Sequence, residues 1–481
     1  MRHLTQTFMK VSRFRIFVQG LTLLFLGLGC CRGWAEELKA GATCVDITPP
    51  VGHQLWGLAS RVGPSTGILD PLYARVLVLK SASTSLALVA LDLGRTFDVE
   101  HLAELRSRVK TESGIQHVIF AASHTHNGPT PLNKKYIQPG SNRWEPRALD
   151  AIARAIHEAY RKAVPCYIGA AKGNASVGHN RQDPAGGLWT NEIRNSTYPR
   201  DPVVQVLRID QIGGKPIAVV VNYAAHPVVL DSDNSTEYSA DFPGAMAEYV
   251  EKSLPGSPVC LFIQGACGDI NSRYLGQYPS TERGPGYYGV LVHEMRQLGR
   301  ELGSEVLKVA NGIKLTRPQQ PELLVQDEEL TFKARWNLDK LKTLQAVPTY
   351  HQWAVEGRPF GFPPEQLTLF ITSVLINRYI AILTMPGEPY VEHQIGFRDR
   401  LPGLDTILAG YANGYVGYIP TIRVAARDGV VYGGNAWPTI LPVGAGERIV
   451  DRGIVNVYRM LGRLKQSPDR IGQTAWNRGE P

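Results

Sequence analysis

Residues 116–129 read QHVIFAASHTHNGP. The run from Gln116 to Ala122 is short and apolar, the pattern of a strand buried on both faces of a sheet. It delivers His124 and His126 before the Gly128-Pro129 turn carries the chain away. Residues two apart in an extended segment share a face, so the two imidazoles are expected to point into one cavity. A second apolar run, KPIAVVV at 215–221, leads into NYAAHP at 222–227 and sets His226 at another strand end.

A neutral imidazole offers one nitrogen lone pair, and zinc accepts such nitrogens together with carboxylate oxygens while keeping one position open. The three histidines read either as a metal centre or as hydrogen-bonded structural residues. The clearest carboxylate to join them is Glu388 in LTMPGEP at 383–389, in a Pro-Gly turn directly after a buried strand. The alternative for Glu388 is a helix N-terminal residue stabilised by the helix dipole.

Working outward, apolar and amphipathic runs alternate for most of the chain. Strands are expected at 72–79, 86–93, 203–209, 259–263, 367–375, 380–385 and 406–409. Helices are expected at 99–110, 148–162, 291–309 and 447–464, with two more opening near Pro389 and at Asp241 or Pro243, where an acidic N-cap suits the start. This mixture predicts an α/β fold of layered mixed β-sheets flanked by helices, in a single large catalytic domain over 36–465. Function is expected in the long polar loops 123–145, 178–202, 266–286 and 411–445. The insertion 336–364, with Trp336, Trp353, Phe360 and Phe362, reads as a lid or as a packed satellite helix.

The first 35 residues carry five basic side chains, no acidic ones and an apolar stretch from Ile16 to Gly29, with Ala35 before Glu36-Glu37. That is the layout of a signal peptide, so the protein is expected to be exported. Gly27-Leu28-Gly29 before Cys30 is a poor match to a lipoprotein signal. Without the five leader cations the formal net charge falls from +8 to +3, and no dense Lys/Arg run remains, which argues against a nucleic-acid partner. Of the cysteines left, Cys44, Cys166, Cys260 and Cys267, the pair nearest in sequence is Cys260 and Cys267; export permits a bridge between them. Residues 466–481 read as a polar tail.

ATCVDITPPVG at 42–52, SHTHNGP at 123–129, Asn180-Arg181, Ala225-His226, Pro386-Gly387-Glu388 and Gly417-Tyr418-Ile419 occur in this order. The ordered set resembles the neutral/alkaline non-lysosomal ceramidases over nearly all of residues 40–465. That family consists of zinc amidases that cleave the N-acyl bond of ceramide. The resemblance implies Zn2+ as cofactor, held by His124, His226, Glu388 and Tyr418. It further implies His126 as an acid/base or orienting group beside the metal, Arg181 as a substrate or oxyanion contact, and Tyr432 as the nearest match to a second tyrosine of the family.

Two departures stand out. Where the family carries a serine in a Gly-Asp-x-Ser-Pro loop, this chain reads GDINS at 268–272, so Asn271 takes the position and Ser272 falls one place late. The family's C-terminal immunoglobulin-like domain is not expected here, given the short stretch after Leu464. The expected function is therefore a zinc-dependent amide hydrolase cleaving an N-acyl bond of ceramide or a related lipid by metal-activated water, with Asn271 donating a hydrogen bond to substrate. The rivals are a hydrolase of this fold acting on a non-lipid amide or ester, and a catalytically silent extracellular binding protein. The partner is a small-molecule or lipid amide; peripheral membrane contact and oligomeric state stay open.

Overall fold

A computed structural model describes residues 37–57, 61, 63–182, 197–230, 235–273, 286–315, 317–318, 321–335, 365–426 and 439–464. The leader, the insertion 336–364, Tyr432 and the polar tail lie outside these residues.

Eight strands form one mixed sheet: β1 (Lys39–Asp46), β2 (Tyr73–Lys80), β3 (Ser85–Leu91), β4 (His117–Ala122), β5 (Val164–Asn174), β6 (Val203–Gln211), β7 (Pro216–Tyr223) and β8 (Val259–Gln264). Their spatial order is β8-β7-β6-β5-β1-β2-β3-β4, with β8 parallel to β7 and β4 parallel to β3 at the two edges. A second, four-stranded sheet runs β9 (Leu323–Lys333), β10 (Gln366–Ile376), β11 (Ile380–Thr384) and β12 (Asp405–Ala409). The strands expected from the apolar runs are all present, each end within a few residues.

Strand alternation explains how the layers stack. On β2, Leu77 and Leu79 face a central core while Ala74, Val76 and Val78 face the other way; on β7, Val220 and Val219 divide in the same manner. The central core joins Leu88 and Ile119 from one half of the large sheet to Leu207 and Leu261 from the other, and to Ile382 and Ile407 of the small sheet. The large sheet thus folds over on itself. Helices α1 (Val99–Ser113) and α2 (Glu145–Arg161) cover the first half through Leu102, Leu105, Ile152 and Ile156. Helices α3 (Asp241–Ser253) and α4 (Tyr287–Gly312) cover the second through Phe242, Met246, Leu298 and Leu302. Helices α5 (Val391–Asp399) and α6 (Ala445–Met460) cover the small sheet. Gly41 of β1 allows α2 to pack closely, since a Cβ there would stand 2.1 Å from the Ala159 carbonyl oxygen.

Two expectations change. The acidic residue at the start of α3 is not its cap: Asp241 is the first helical residue, at φ 56°, and its carboxylate accepts from the Leu230 and Phe242 amides. Asp70, from the loop before β2, accepts the Ala240 amide instead. Nor do Cys260 and Cys267 form a bridge; all four cysteines of the described chain are free. Cys260 lies against Met246 within the α3 packing, and Cys267 against the Tyr411 hydroxyl.

Candidate metal and catalytic site

Strands from both sheets end at one place. β4 leads to His124, β7 to His226, β8 to the loop 265–272, β11 to Glu388 and β12 to Tyr411. The sharing of a face by His124 and His126 does not come from strand alternation, because β4 stops at Ala122 and His124 adopts φ 68°. Hydrogen bonds from the Ser123 and His124 amides to the Leu91 and Leu93 carbonyls hold this left-handed turn. Tyr411 and Asn413, on the facing loop, are also left-handed. Such a conformation costs a non-glycine residue about 1–2 kcal/mol, and its recurrence at one site is the pattern of backbone strain retained for function.

The imidazoles of His124, His126 and His226 converge, their ligand nitrogens all within 4.8 Å of one another. His124 Nδ1 lies 2.6 Å from the Gly94 carbonyl oxygen and His226 Nδ1 lies 3.1 Å from that of Ile270. A carbonyl only accepts, so Nδ1 of each ring carries a proton, and in the neutral ring Nε2 carries the lone pair. Both Nε2 atoms then face the same oxygen, Glu388 Oε2, at 3.4 Å from His124 and 3.2 Å from His226. Burial lowers His226 to about 3, and the Arg181 guanidinium pushes the same way, so the ring is neutral at physiological pH. Burial opposes the charge on Glu388, and only positive charge on the His124 and His226 side of the carboxyl, from an Nε2 proton or a cation in that place, holds it well below its usual range. Two imidazole nitrogens and a carboxylate oxygen directed at one point form an electron-rich donor set. This donor set fits a divalent cation such as zinc, and the Nδ1–carbonyl bonds are the outer contacts that orient histidine ligands.

Glu388 is held in turn by tyrosines. The hydroxyls of Tyr415 and Tyr411 donate to its two carboxylate oxygens, and the Tyr411 ring stacks on His124 with centroids 4.0 Å apart. Trp56 packs edge-on against Tyr415. These three were not singled out from the sequence; a Tyr-Ala-Asn-Gly-Tyr segment following a buried strand was the available signal. Tyr418 pairs in parallel with Glu388 through the short strands Glu388–Pro389 and Tyr418–Ile419, and its hydroxyl lies 3.1 Å from Arg181 Nη2.

Arg181 is buried, and its guanidinium is fixed on three sides: Nη2 donates to the Gly268 carbonyl and to Tyr418, and Nη1 donates to Asn271 Oδ1 at 3.0 Å. The wholly buried Asp269 builds the frame around it. Its carboxylate accepts from Asn180, Gln182 and the first amide of α5, while its carbonyl accepts the Arg181 amide. Asn271 bridges to His226. Because Arg181 claims Oδ1, the Asn271 amide nitrogen is left as a buried donor with no partner among the described residues. Ser272 is equally buried, but adjacent residues of a strand point to opposite faces, which turns its hydroxyl away from the Arg181–Asn271 side. His126 is half-buried beneath Gly57, where any Cβ would stand 2.3 Å from its ring.

The sequence-expected residues His124, His126, Arg181, His226, Asn271, Glu388 and Tyr418 are thus brought together, and Tyr432 lies outside the described chain. The profile of the family described as neutral/alkaline non-lysosomal ceramidase, N-terminal, matches residues 38–284. The matched span includes the three histidines, Arg181 and Asn271 and ends before Glu388 and Tyr418. The crystal structure of neutral ceramidase from Pseudomonas aeruginosa is similar with a TM-score of 0.68 at 19% identity, covering 91% of this chain and 76% of that one. A ceramidase complexed with C2 is similar with a TM-score of 0.68 at 18% identity, covering 91% and 77%. At these identities the structures carry the likeness of fold.

Proposed function

The chain belongs to the neutral/alkaline non-lysosomal ceramidase family, a family of amide hydrolases, and on that premise we propose that it is an exported, zinc-dependent hydrolase of N-acyl lipid amides. One observation carries the metal assignment: His124 Nε2 and His226 Nε2 converge on Glu388 Oε2 while both Nδ1 atoms are committed to backbone carbonyls. In this reading His124, His226, Glu388 and Tyr418 hold the ion. A zinc ion there supplies Lewis acidity toward an amide carbonyl and acidifies water to a pKa of about 7.

The chain's own residues do the rest. Tyr411 and Tyr415 fix the Glu388 carboxylate so that it presents one oxygen to the two histidines. The Arg181 guanidinium and the Asn271 amide nitrogen, set rigidly side by side, stabilise negative charge developing on the amide oxygen. His126, at the edge of the cluster and half-buried, passes a proton to the leaving amine. The Ser272 hydroxyl, buried on the opposite face of its strand, takes no part.

Asn271 in place of the family's serine weakens the case for ceramide itself more than the case for hydrolysis. Purified protein is assayed for metal by elemental analysis and for fatty-acid release from ceramide, N-acyl amino acids, N-acyl amino sugars and short acyl esters. We expect about one zinc per chain, as four ligands to a single ion require, and release from at least one long-chain amide. A protein that holds zinc but cleaves none of them overturns the hydrolase reading, and one that holds no divalent ion overturns the centre itself. No helix among the described residues is long and apolar enough to cross a membrane.

A further inference from the structure

Gln264 is the last residue of β8 and is wholly buried. Its Nε2 donates two hydrogen bonds, to the carbonyl oxygens of Ser123 and Ala225, each at 2.9 Å. Its Oε1 accepts the Gly265 amide at 3.1 Å, which fixes which end of the carboxamide faces the two carbonyls. Ser123 and Ala225 immediately precede His124 and His226.

The placement matters because no ladder joins the two histidine-bearing turns. β4 is one edge of the large sheet, whereas β7 lies next to the opposite edge. The turns meet only because the sheet folds over, and a fold-over set by apolar packing alone fixes no distance to a tenth of an ångström. A longer bond, His126 N to Pro227 O at 3.4 Å, also crosses the gap. The Gln264 clip is shorter and has both bonds on one nitrogen, so it ties the two carbonyls to a common point. The backbone of Gln264 extends the tie, since its carbonyl accepts the Gly410 amide next to Tyr411.

We propose that Gln264 is a positioning residue of the metal centre: by clamping Ser123 and Ala225 it sets the separation of the His124 and His226 imidazoles, and so the affinity and geometry of the site they form. The inference rests on reading those histidines as metal ligands. Only an amide donates twice from one atom here while accepting from the other; a carboxylate would face two carbonyls with like partial charge, and a thioether would offer no hydrogen.

The test uses Gln264→Met, which keeps length and shape, and Gln264→Glu, which keeps the acceptor, each measured in the full chain, so that failure of one to fold leaves the other. Zinc affinity is read by competition with a chromogenic chelator, and ligand geometry by the visible absorption bands of the cobalt(II)-loaded protein. We expect affinity to fall by roughly tenfold to a hundredfold, the range for lost outer-shell contacts, with shifted cobalt bands, while circular dichroism stays that of wild type. A variant with lowered melting temperature but unchanged zinc affinity and cobalt bands overturns the proposal, since Gln264 would then be a packing residue only. If neither variant folds, the proposal is likewise overturned in favour of a purely structural role. Wild type that binds neither zinc nor cobalt overturns the underlying reading of the histidines instead.

Discussion

Two buried polar clusters in this molecule are built from the same ingredients and end differently. Around Arg75, the guanidinium donates to Asp92 Oδ2 at 2.8 Å and to Glu251 Oε1 at 3.3 Å. The two carboxylates also accept the Tyr73 and Cys260 amides. Burial alone would lower the pKa of Arg75, but Asp92 and Glu251 outweigh it and raise it. Cation and carboxylates in that cluster complement one another, and the cluster fastens β2 to α3 and β8 across the folded sheet. Around His226, by contrast, lone pairs meet lone pairs, and the Asn271 amide nitrogen has no partner among the described residues. A complete set of partners reads as a seam, whereas an incomplete set aimed at one point reads as a place for something else.

Exchanging losses between the clusters would break this contrast. His226→Ala should remove the bound metal and lower turnover by roughly a thousandfold or more, with the melting temperature of the metal-free protein little changed; elemental analysis and fatty-acid release measure both. Arg75→Ala should cost about 3–5 kcal/mol of stability by leaving the buried Asp92 carboxylate without its cation, while zinc per folded molecule stays at the wild-type level. Equal destabilisation by both changes would erase the distinction. Arg181→Lys keeps the charge but loses the planar fork that reaches Asn271, Gly268 and Tyr418; kcat should drop by roughly ten- to a hundredfold with zinc retained. Smallest of all, Ser272→Ala should stay within about twofold of wild type in kcat, because a hydroxyl turned from the site is no nucleophile. A large loss there would return the nucleophilic role to the serine.

How much of this was legible in the sequence depended on whether the signal was local. Buried strands announce themselves by apolar runs, so the positions of His124, His226 and Glu388 at strand ends followed directly, as did the layered α/β class. The left-handed turn at His124 did not, because it is held by the carbonyls of Leu91, the end of β3, and of Leu93 just past it. Nor did the fold-over of the large sheet, which brings Leu88 and Leu261 into one core that no periodicity encodes. Tyr411, Tyr415 and Gln264 were silent for a related reason: a polar or aromatic residue at a strand end looks the same whether it packs, caps or positions a ligand. Asp241 misled, since an acid before an apolar run reads as a cap and here it is the first helical residue, with Asp70 holding the Ala240 amide ahead of it.

The two sheets also impose an order on biosynthesis. His124 and His226 leave the ribosome well before Glu388 and Tyr418, which follow strands β11 and β12 of the small sheet. A nascent chain therefore displays two imidazoles early but cannot close the coordination shell until β11 and β12 have docked. Ion capture would then report that the whole chain has folded, and a polypeptide released short of Glu388 should be left with an open pair of histidines that holds a divalent ion weakly.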